Sequence, residues 1–101
     1  MGVRPRRFRA VVLDGQKGCT VQVPFDPSEE WGELPTEVVY QRVRGVPVRG
    51  KLEGESFDSW IILRWKKHFL LLDDTVLRAS TLAPGELASI EVAPRSAVPK
   101  D

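Results

Sequence analysis

The sequence predicts a mainly β fold, a small closed or partly open antiparallel barrel with two short helices. The chain has 101 residues, which is the length of one domain. Short runs of branched and aromatic residues recur about every 8–12 positions between Gly, Pro and Asp turn signals, a spacing typical of antiparallel barrels. Hydrophobic residues make up 42% and charged residues 29%, the composition of an ordinary globular protein.

The first predicted element is a β-hairpin from Phe8 to Val23. Its first strand, Phe8–Asp14, is rich in branched residues and stops at Asp14-Gly15, which is a strong turn signal. The second strand, Thr20–Val23, alternates polar and apolar residues until Pro24 ends it.

A short helix is predicted next. Asp26 is a suitable N-cap, Pro27 suits the first helical position, and Glu29 completes a capping box. Gly32 should end this helix after one or two turns.

The middle of the chain is predicted to be strands. Residues 35–44 fit a strand or a helix, and Val38-Val39-Tyr40 favours the strand. Val46–Leu52 and Phe57–Leu63 then form a hairpin around the turn Glu53-Gly54-Glu55.

Three elements complete the predicted fold. Phe69–Leu72 is a short buried strand. A helix follows over Thr75–Thr81, capped by Asp73 or Asp74. Leu87–Ala93 is the last strand, because its apolar and polar residues alternate.

The chain ends are predicted to flank a single domain. We expect a basic arm over residues 1–6, the barrel over 7–94 and a flexible tail over 95–101. The longest apolar runs are four residues, whereas a membrane span needs about 20, so we expect no membrane partner and no signal peptide. The single cysteine, Cys19, cannot form an intramolecular disulfide, which fits a cytoplasmic protein.

The sequence offers no set of residues for catalysis or metal binding. One cysteine and one histidine exclude a Cys/His zinc site, and we expect neither metal nor cofactor. His68 is the one ordinary general base near neutral pH, and it lies in a polar break over 64–68. No serine lies in a nucleophile elbow. We therefore predict a protein that is not an enzyme.

A phosphate-binding loop is also rejected. Residues 45–51 match the pattern GxxxxGK, but Leu52 replaces the Ser or Thr that would hold magnesium. Pro47 removes one of the backbone N–H groups that would contact phosphate.

The charge distribution has two interpretations, a nucleic-acid-binding surface or an ordinary solvated surface. The net charge is only +1, but residues 1–25 sum to +4, residues 26–37 to −5 and residues 38–52 to +4. Alternation places four cations on the outer face if the first strand and the Val46–Leu52 strand are neighbours. Such a basic face is typical of nucleic-acid binding. The four predicted residues are Arg7, Arg9, Arg49 and Lys51.

A second function class stays open. The barrel could instead bind a small ligand or a protein through an apolar pocket lined by tryptophans such as Trp31 and Trp60. An unfilled pocket would favour this class over the basic face.

One stretch resembles a family signature. Gly45–Gly54, followed by Phe57, resembles the V-P-V-R-G-x-I-x-G-x-x-F pattern of a small prokaryotic domain family of unknown function, numbered nineteen-oh-five. Further matches, in the family's order, lie at Phe8–Leu13, Val21–Pro24, Leu77-Arg78 and Pro84–Val92.

The resemblance implies a double-split β-barrel like that of the AbrB-type transcription factors, and it supplies no catalytic residues. In some relatives a domain linked to bacteriocin protection follows; we expect none here, because the chain stops shortly after the last predicted strand. Glu86 replaces the family's usual aspartate, and the tip over 64–68 lacks the usual glycines, so the turn types there are not carried over from the family.

Overall fold

The computed structural model describes residues 4–15, 18–40 and 42–95. Half of the predicted N-terminal arm, residues 1–3, and all but the first residue of the predicted C-terminal tail, residues 96–101, lie outside them. The strands are β1 (Arg6–Val11), β2 (Leu13–Gly15), β3 (Gly18–Val23), β4 (Glu37–Tyr40), β5 (Val43–Leu52), β6 (Glu55–Arg64), β7 (Lys67–Leu72) and β8 (Leu87–Pro94), and the helices are α1 (Pro27–Trp31) and α2 (Asp74–Ser80).

The strands form one antiparallel sheet in the order β1-β8-β5-β6-β7-β3-β2, with β4 paired to β5 beside β8. β1 and β2 follow each other in the chain but lie at opposite ends of this order. The sheet is therefore curled into a half-barrel. The predicted mainly β fold with two short helices is confirmed.

Val12 divides the predicted first strand into two. Its N–H donates to the carbonyl of Glu86 at 2.9 Å, and its carbonyl accepts from the N–H of Gly85 at 2.8 Å. Before this point β1 pairs with β8, and after it β2 pairs with β3. The predicted hairpin from Phe8 to Val23 is therefore wrong in its first half, because the closing sheet gives β1 a distant partner.

Helix α1 begins and ends where the sequence predicts, and α2 (Asp74–Ser80) begins and ends one residue before the predicted Thr75–Thr81. Asp26 caps α1, Pro27 takes its first position, and Gly32 ends it with a left-handed φ of 71°. The side chain of Asp73, rather than that of Asp74, caps α2 by accepting from the N–H of Val76 at 2.9 Å.

Two tight turns connect the central strands. Glu53 and Gly54 join β5 to β6 with φ of 50° and 88°, as the predicted hairpin requires. The predicted polar break after β6 is itself a two-residue turn, in which Trp65 and Lys66 have φ of 52° and 61°. Residues 37–40 form a strand, which confirms the strand prediction for this region, although Gln41 lies outside the described residues.

Inward-facing side chains from both ends of the sheet form the core. Val46 and Val48 of β5 are buried, and so are Ala88, Ile90 and Val92 of the neighbouring strand β8. α1 contributes Trp31, and α2 contributes Val76 and Leu77. Polar positions of the same strands are left on the outer face.

Candidate nucleic-acid interface

All four predicted cations lie on the outer face of the sheet. Arg7 and Arg9 alternate along β1 with Phe8 and Ala10, which pack against the core. Arg49 and Lys51 alternate along β5 with buried residues in the same way. The orientation of these side chains follows from strand periodicity alone.

The predicted patch of four cations requires β1 and β5 to be neighbouring strands, and they are not. β8 lies between β1 and β5, and its Glu91 is opposite Arg7 on one side and Lys51 on the other. Arg7 Nε donates to Glu91 Oε1 at 3.0 Å. The inserted strand thus places a carboxylate inside the predicted basic patch.

Arg49 lies apart from the other three cations. Its Nε donates to Asp58 Oδ1 at 2.6 Å, and a second guanidinium nitrogen donates to Oδ2 at 3.2 Å. This hydrogen bond from Arg49 holds the pKa of the Asp58 carboxyl below its ordinary value. The bidentate pair ties Arg49 to β6, so a ligand that used Arg49 would have to displace Asp58.

The remaining three cations line an open groove of about 580 Å³. β1 supplies Arg7 and Arg9 on one side, and Lys51 lies on the other side beside the β5–β6 turn. Within the described ranges, Arg9 and Lys51 have no ion-pair partner. The groove therefore contains three cations, of which only Arg7 is in an ion pair, together with the carboxylates of Glu53 and Glu91.

Glu53 holds the far side of this groove in place. Its Oε2 accepts from the backbone N–H of Ser89 at 2.7 Å, and its own N–H donates to the carbonyl of Ser89 at 3.0 Å. The Glu53 side chain thus continues the β5–β8 ladder past the end of β5, which keeps Lys51 at the groove edge.

The basic residues nearest the N-terminus do not join this groove. Arg6 forms an ion pair with Glu30, and its guanidinium lies 4.7 Å from the centre of the Phe25 ring. Trp31 Nε1 donates to the carbonyl of Arg4 at 3.1 Å. Four arginines lie close together in the sequence, but the fold separates them. Arg4 and Arg6 contact residues of α1, whereas Arg7 and Arg9 lie on the outer face.

His68 faces the inside of the half-barrel, which the sequence analysis missed. Its Nε2 lies 3.6 Å from Asp26 Oδ1, and the same oxygen accepts from the Ser28 hydroxyl at 2.8 Å. The alternation of His68 with the buried Leu70 and Leu72 is the signal that predicts this orientation. The two lysines that precede His68 in the sequence favour an exposed position for it instead.

The surroundings of Cys19 and of the two predicted pocket tryptophans, Trp31 and Trp60, indicate structural roles. Burial, reinforced by Asp14 and Asp74, raises the pKa of the half-buried Cys19 thiol above its ordinary value. Trp31 is buried in the core, with its ring centre 5.0 Å from that of Phe25. Trp60 lies on the outer face, where its Nε1 donates to Glu37 at 2.9 Å. The two predicted pocket tryptophans thus lie in different parts of the molecule.

The described part of the chain shows neither a metal-ligand cluster nor a membrane-spanning helix. No group of three or more His, Cys, Asp or Glu side chains there could hold a metal ion. None of its helices is long and apolar enough to cross a membrane.

Comparison with known proteins identifies a family. The family model described as Domain of unknown function (DUF1905) matches residues 8–92. No curated protein matches the chain.

Proposed function

The chain belongs to the DUF1905 family, and from this premise we propose that it is a binding module whose outer groove contacts the phosphate backbone of nucleic acid. The observation that carries the proposal is the groove lined by Arg7, Arg9 and Lys51. The resemblance to AbrB-type barrels supports it by analogy of fold alone. We also propose that the protein acts in the bacterial cytoplasm, which its single cysteine and its resemblance to a prokaryotic family favour.

The arrangement of charges suits a phosphate chain. Arg9 and Lys51 come from opposite sides of the groove and have no ion-pair partner within the described ranges. The ion pair between Arg7 and Glu91 is at the surface, where the Arg7 side chain is 83% exposed. Surface pairs contribute little to stability, so a phosphate can replace Glu91 as the partner of Arg7 at small cost.

We further propose that the chain has no catalytic activity. The hydroxyl of Ser28 donates to Asp26, the carboxylate that His68 also faces, so the imidazole is not placed to take the hydroxyl proton. A raised pKa favours the protonated thiol at Cys19. A reproducible turnover that His68→Ala or Cys19→Ala abolishes would contradict this proposal.

The alternative of a tryptophan-lined pocket stays a prediction. Its two residues have other contacts, Trp31 in the core and Trp60 on the outer face. No specific contact favours it over the groove.

The binding proposal is tested by titrating the protein with labelled single-stranded and duplex oligonucleotides at about 50 mM salt, where phosphate contacts are strong. Arg9→Gln combined with Lys51→Gln should abolish binding. Substituting all four predicted cations with glutamine should also abolish binding. The fold should remain intact, because surface substitutions typically change the free energy of unfolding by less than about 0.5 kcal/mol each. We favour the double variant, because Arg49→Gln would also leave Asp58 without its bidentate partner.

The matched control removes the same charge elsewhere. Lys66→Gln combined with Lys67→Gln alters the β6–β7 turn, outside the groove, and should leave binding unchanged. The proposal is wrong if the wild-type protein binds neither oligonucleotide at low salt, or if both double variants lose binding equally.

A further inference from the structure

A small apolar notch opens at the inner side of the half-barrel, away from the outer groove. It has a volume of about 130 Å³ and lies between α1, the loop that follows it, and inward-facing positions of β5, β6 and β7. Its apolar lining comprises Pro27, Leu34, Pro35, Val46, Ile61 and Leu63.

The notch is deep and apolar at its base and exposed at its rim. Val46 and Ile61 are each 2% exposed, whereas Leu34 is 65% exposed and Leu63 is 54% exposed. An apolar cavity of about 150 Å³ is large enough to hold a benzene molecule. The notch is therefore of the size that admits one aliphatic side chain, and its two exposed leucines would flank that side chain.

The rim of the notch is acidic. Asp26 and Glu33 line it, whereas Glu30 pairs with Arg6 and Glu37 accepts from Trp60 on the outer face. Hydrogen bonds from Ser28 lower the pKa of Asp26, so this group is negatively charged at neutral pH. His68 is the one basic side chain in the lining.

We propose that this notch is a docking site for a basic peptide segment of a partner protein, which inserts one leucine-sized side chain. The apolar base accepts the inserted side chain, because its burial against Val46 and Ile61 removes apolar surface from water. Lysine or arginine residues beside it face Asp26 and Glu33, which orient the peptide and speed its association. The site is independent of the outer groove and has the opposite charge.

The test uses three synthetic peptides with blocked ends and the full chain. The probe has leucine between two pairs of lysines, the second peptide has alanine in place of leucine, and the third has glutamates in place of the lysines. Amide chemical shifts of the isotopically labelled protein report the site. The leucine probe should shift the amides of Ile61, Leu63 and His68, and it should bind about tenfold more tightly than the alanine peptide. The glutamate peptide should not bind.

Two exposed leucines give a matched pair of variants. Leu63→Ser removes a rim residue of the notch, and Leu87→Ser removes a leucine of similar exposure, 56%, on β8. Leu63→Ser should weaken binding of the probe at least about fivefold, and Leu87→Ser should leave it unchanged. Leu34→Ser provides a second rim variant, in a loop where the substitution does not alter a strand.

Three results would overturn the proposal: no shifts at the notch on saturation with the probe, equal affinity for the leucine and alanine peptides, or equal weakening by Leu63→Ser and Leu87→Ser. Chemical-shift changes confined to Arg7, Arg9 and Lys51 are a case of the first result, because they place the probe in the outer groove. The outcome is separate from that of the oligonucleotide titration, since the two experiments report different faces.

Discussion

Gly50 faces Val92 across the β5–β8 ladder, in a place where a side chain cannot fit. A Cβ added at Gly50 would lie 2.0 Å from the carbonyl oxygen of Glu91, which belongs to the backbone and cannot rotate away. This contact gives a physical reason for the glycine in the Val-Pro-Val-Arg-Gly stretch. That stretch lies within strand β5, which is also why it does not form a phosphate-binding loop.

We expect Gly50→Ala to lower the free energy of unfolding by at least about 2 kcal/mol, because β5 and β8 must separate to admit the methyl group. Urea denaturation followed by circular dichroism measures this change. Ser56→Ala, at an exposed position of β6, should change stability by less than about 0.5 kcal/mol. A similarly small effect of Gly50→Ala would show that the strands can shift to admit a side chain.

Asp26 is the second residue whose role can be measured directly. Its Oδ1 accepts from the N–H and hydroxyl of Ser28 at 2.9 and 2.8 Å, and these bonds lower its pKa below the ordinary value of 3.8. A lowered pKa means that the charged form stabilises the fold. This stabilisation is complete above the unfolded-state pKa and is lost as the pH falls through the folded-state pKa.

Asp26→Ala should therefore lower the melting temperature at pH 7, because it removes both the cap and the charge. The difference from the wild-type protein should narrow as the pH falls from the ordinary pKa of 3.8 through the lower pKa of the folded state. Thermal denaturation at a series of pH values measures this. A difference that stayed constant down to about pH 2 would exclude a contribution from the carboxylate charge.

Among the elements, the β6–β7 hairpin has an unfavourable turn. Trp65 and Lys66 both have positive φ, of 52° and 61°, without a glycine to relieve it. Left-handed backbone costs about 1–2 kcal/mol for an ordinary residue. Replacing this pair with Asn-Gly, the favoured sequence for such a turn, should raise the free energy of unfolding by about 1 kcal/mol.

The β5–β6 turn is the matched comparison. Glu53 also has a positive φ, of 50°, but its carboxylate accepts from the N–H of Ser89 at 2.7 Å. Glu53→Asn should therefore fail to stabilise the protein, since the shorter side chain loses that hydrogen bond. Chemical denaturation of both variants tests the comparison, and equal stabilisation by the two changes would contradict it.

At the scale of the whole molecule, strands differ in how many partners they have. β5 and β6 pair along both edges, whereas β2 pairs only with β3 and β4 only with β5. Amide hydrogen exchange should accordingly be slowest in β5 and β6 and fastest in β2 and β4. Exchange followed by nuclear magnetic resonance measures this order. Amides of β4 as protected as those of β5 would contradict the observed topology.

The sequence by itself determined the features that depend on near neighbours. Asp26 and Gly32 bound α1, and Glu53 and Gly54 form a turn, because caps and turns are set by residues a few positions apart. Alternation along β1 and β5 likewise predicted that Arg7 and Lys51 face outward. These interactions are local, so the mainly β class and the orientation of the candidate residues could be predicted.

Only the tertiary structure decided which distant residues meet. Arg7 and Glu91 are 84 positions apart, and they pair because the curled sheet inserts β8 between β1 and β5. The approach of His68 to Asp26 at the apolar notch likewise depends on how α1 packs across the half-barrel. The order of the strands follows from the burial of the whole core. The periodicity of a strand predicts which face of the sheet a side chain lies on, but it does not predict which strand lies beside it. The composition of both candidate surfaces is therefore a property of the curled sheet.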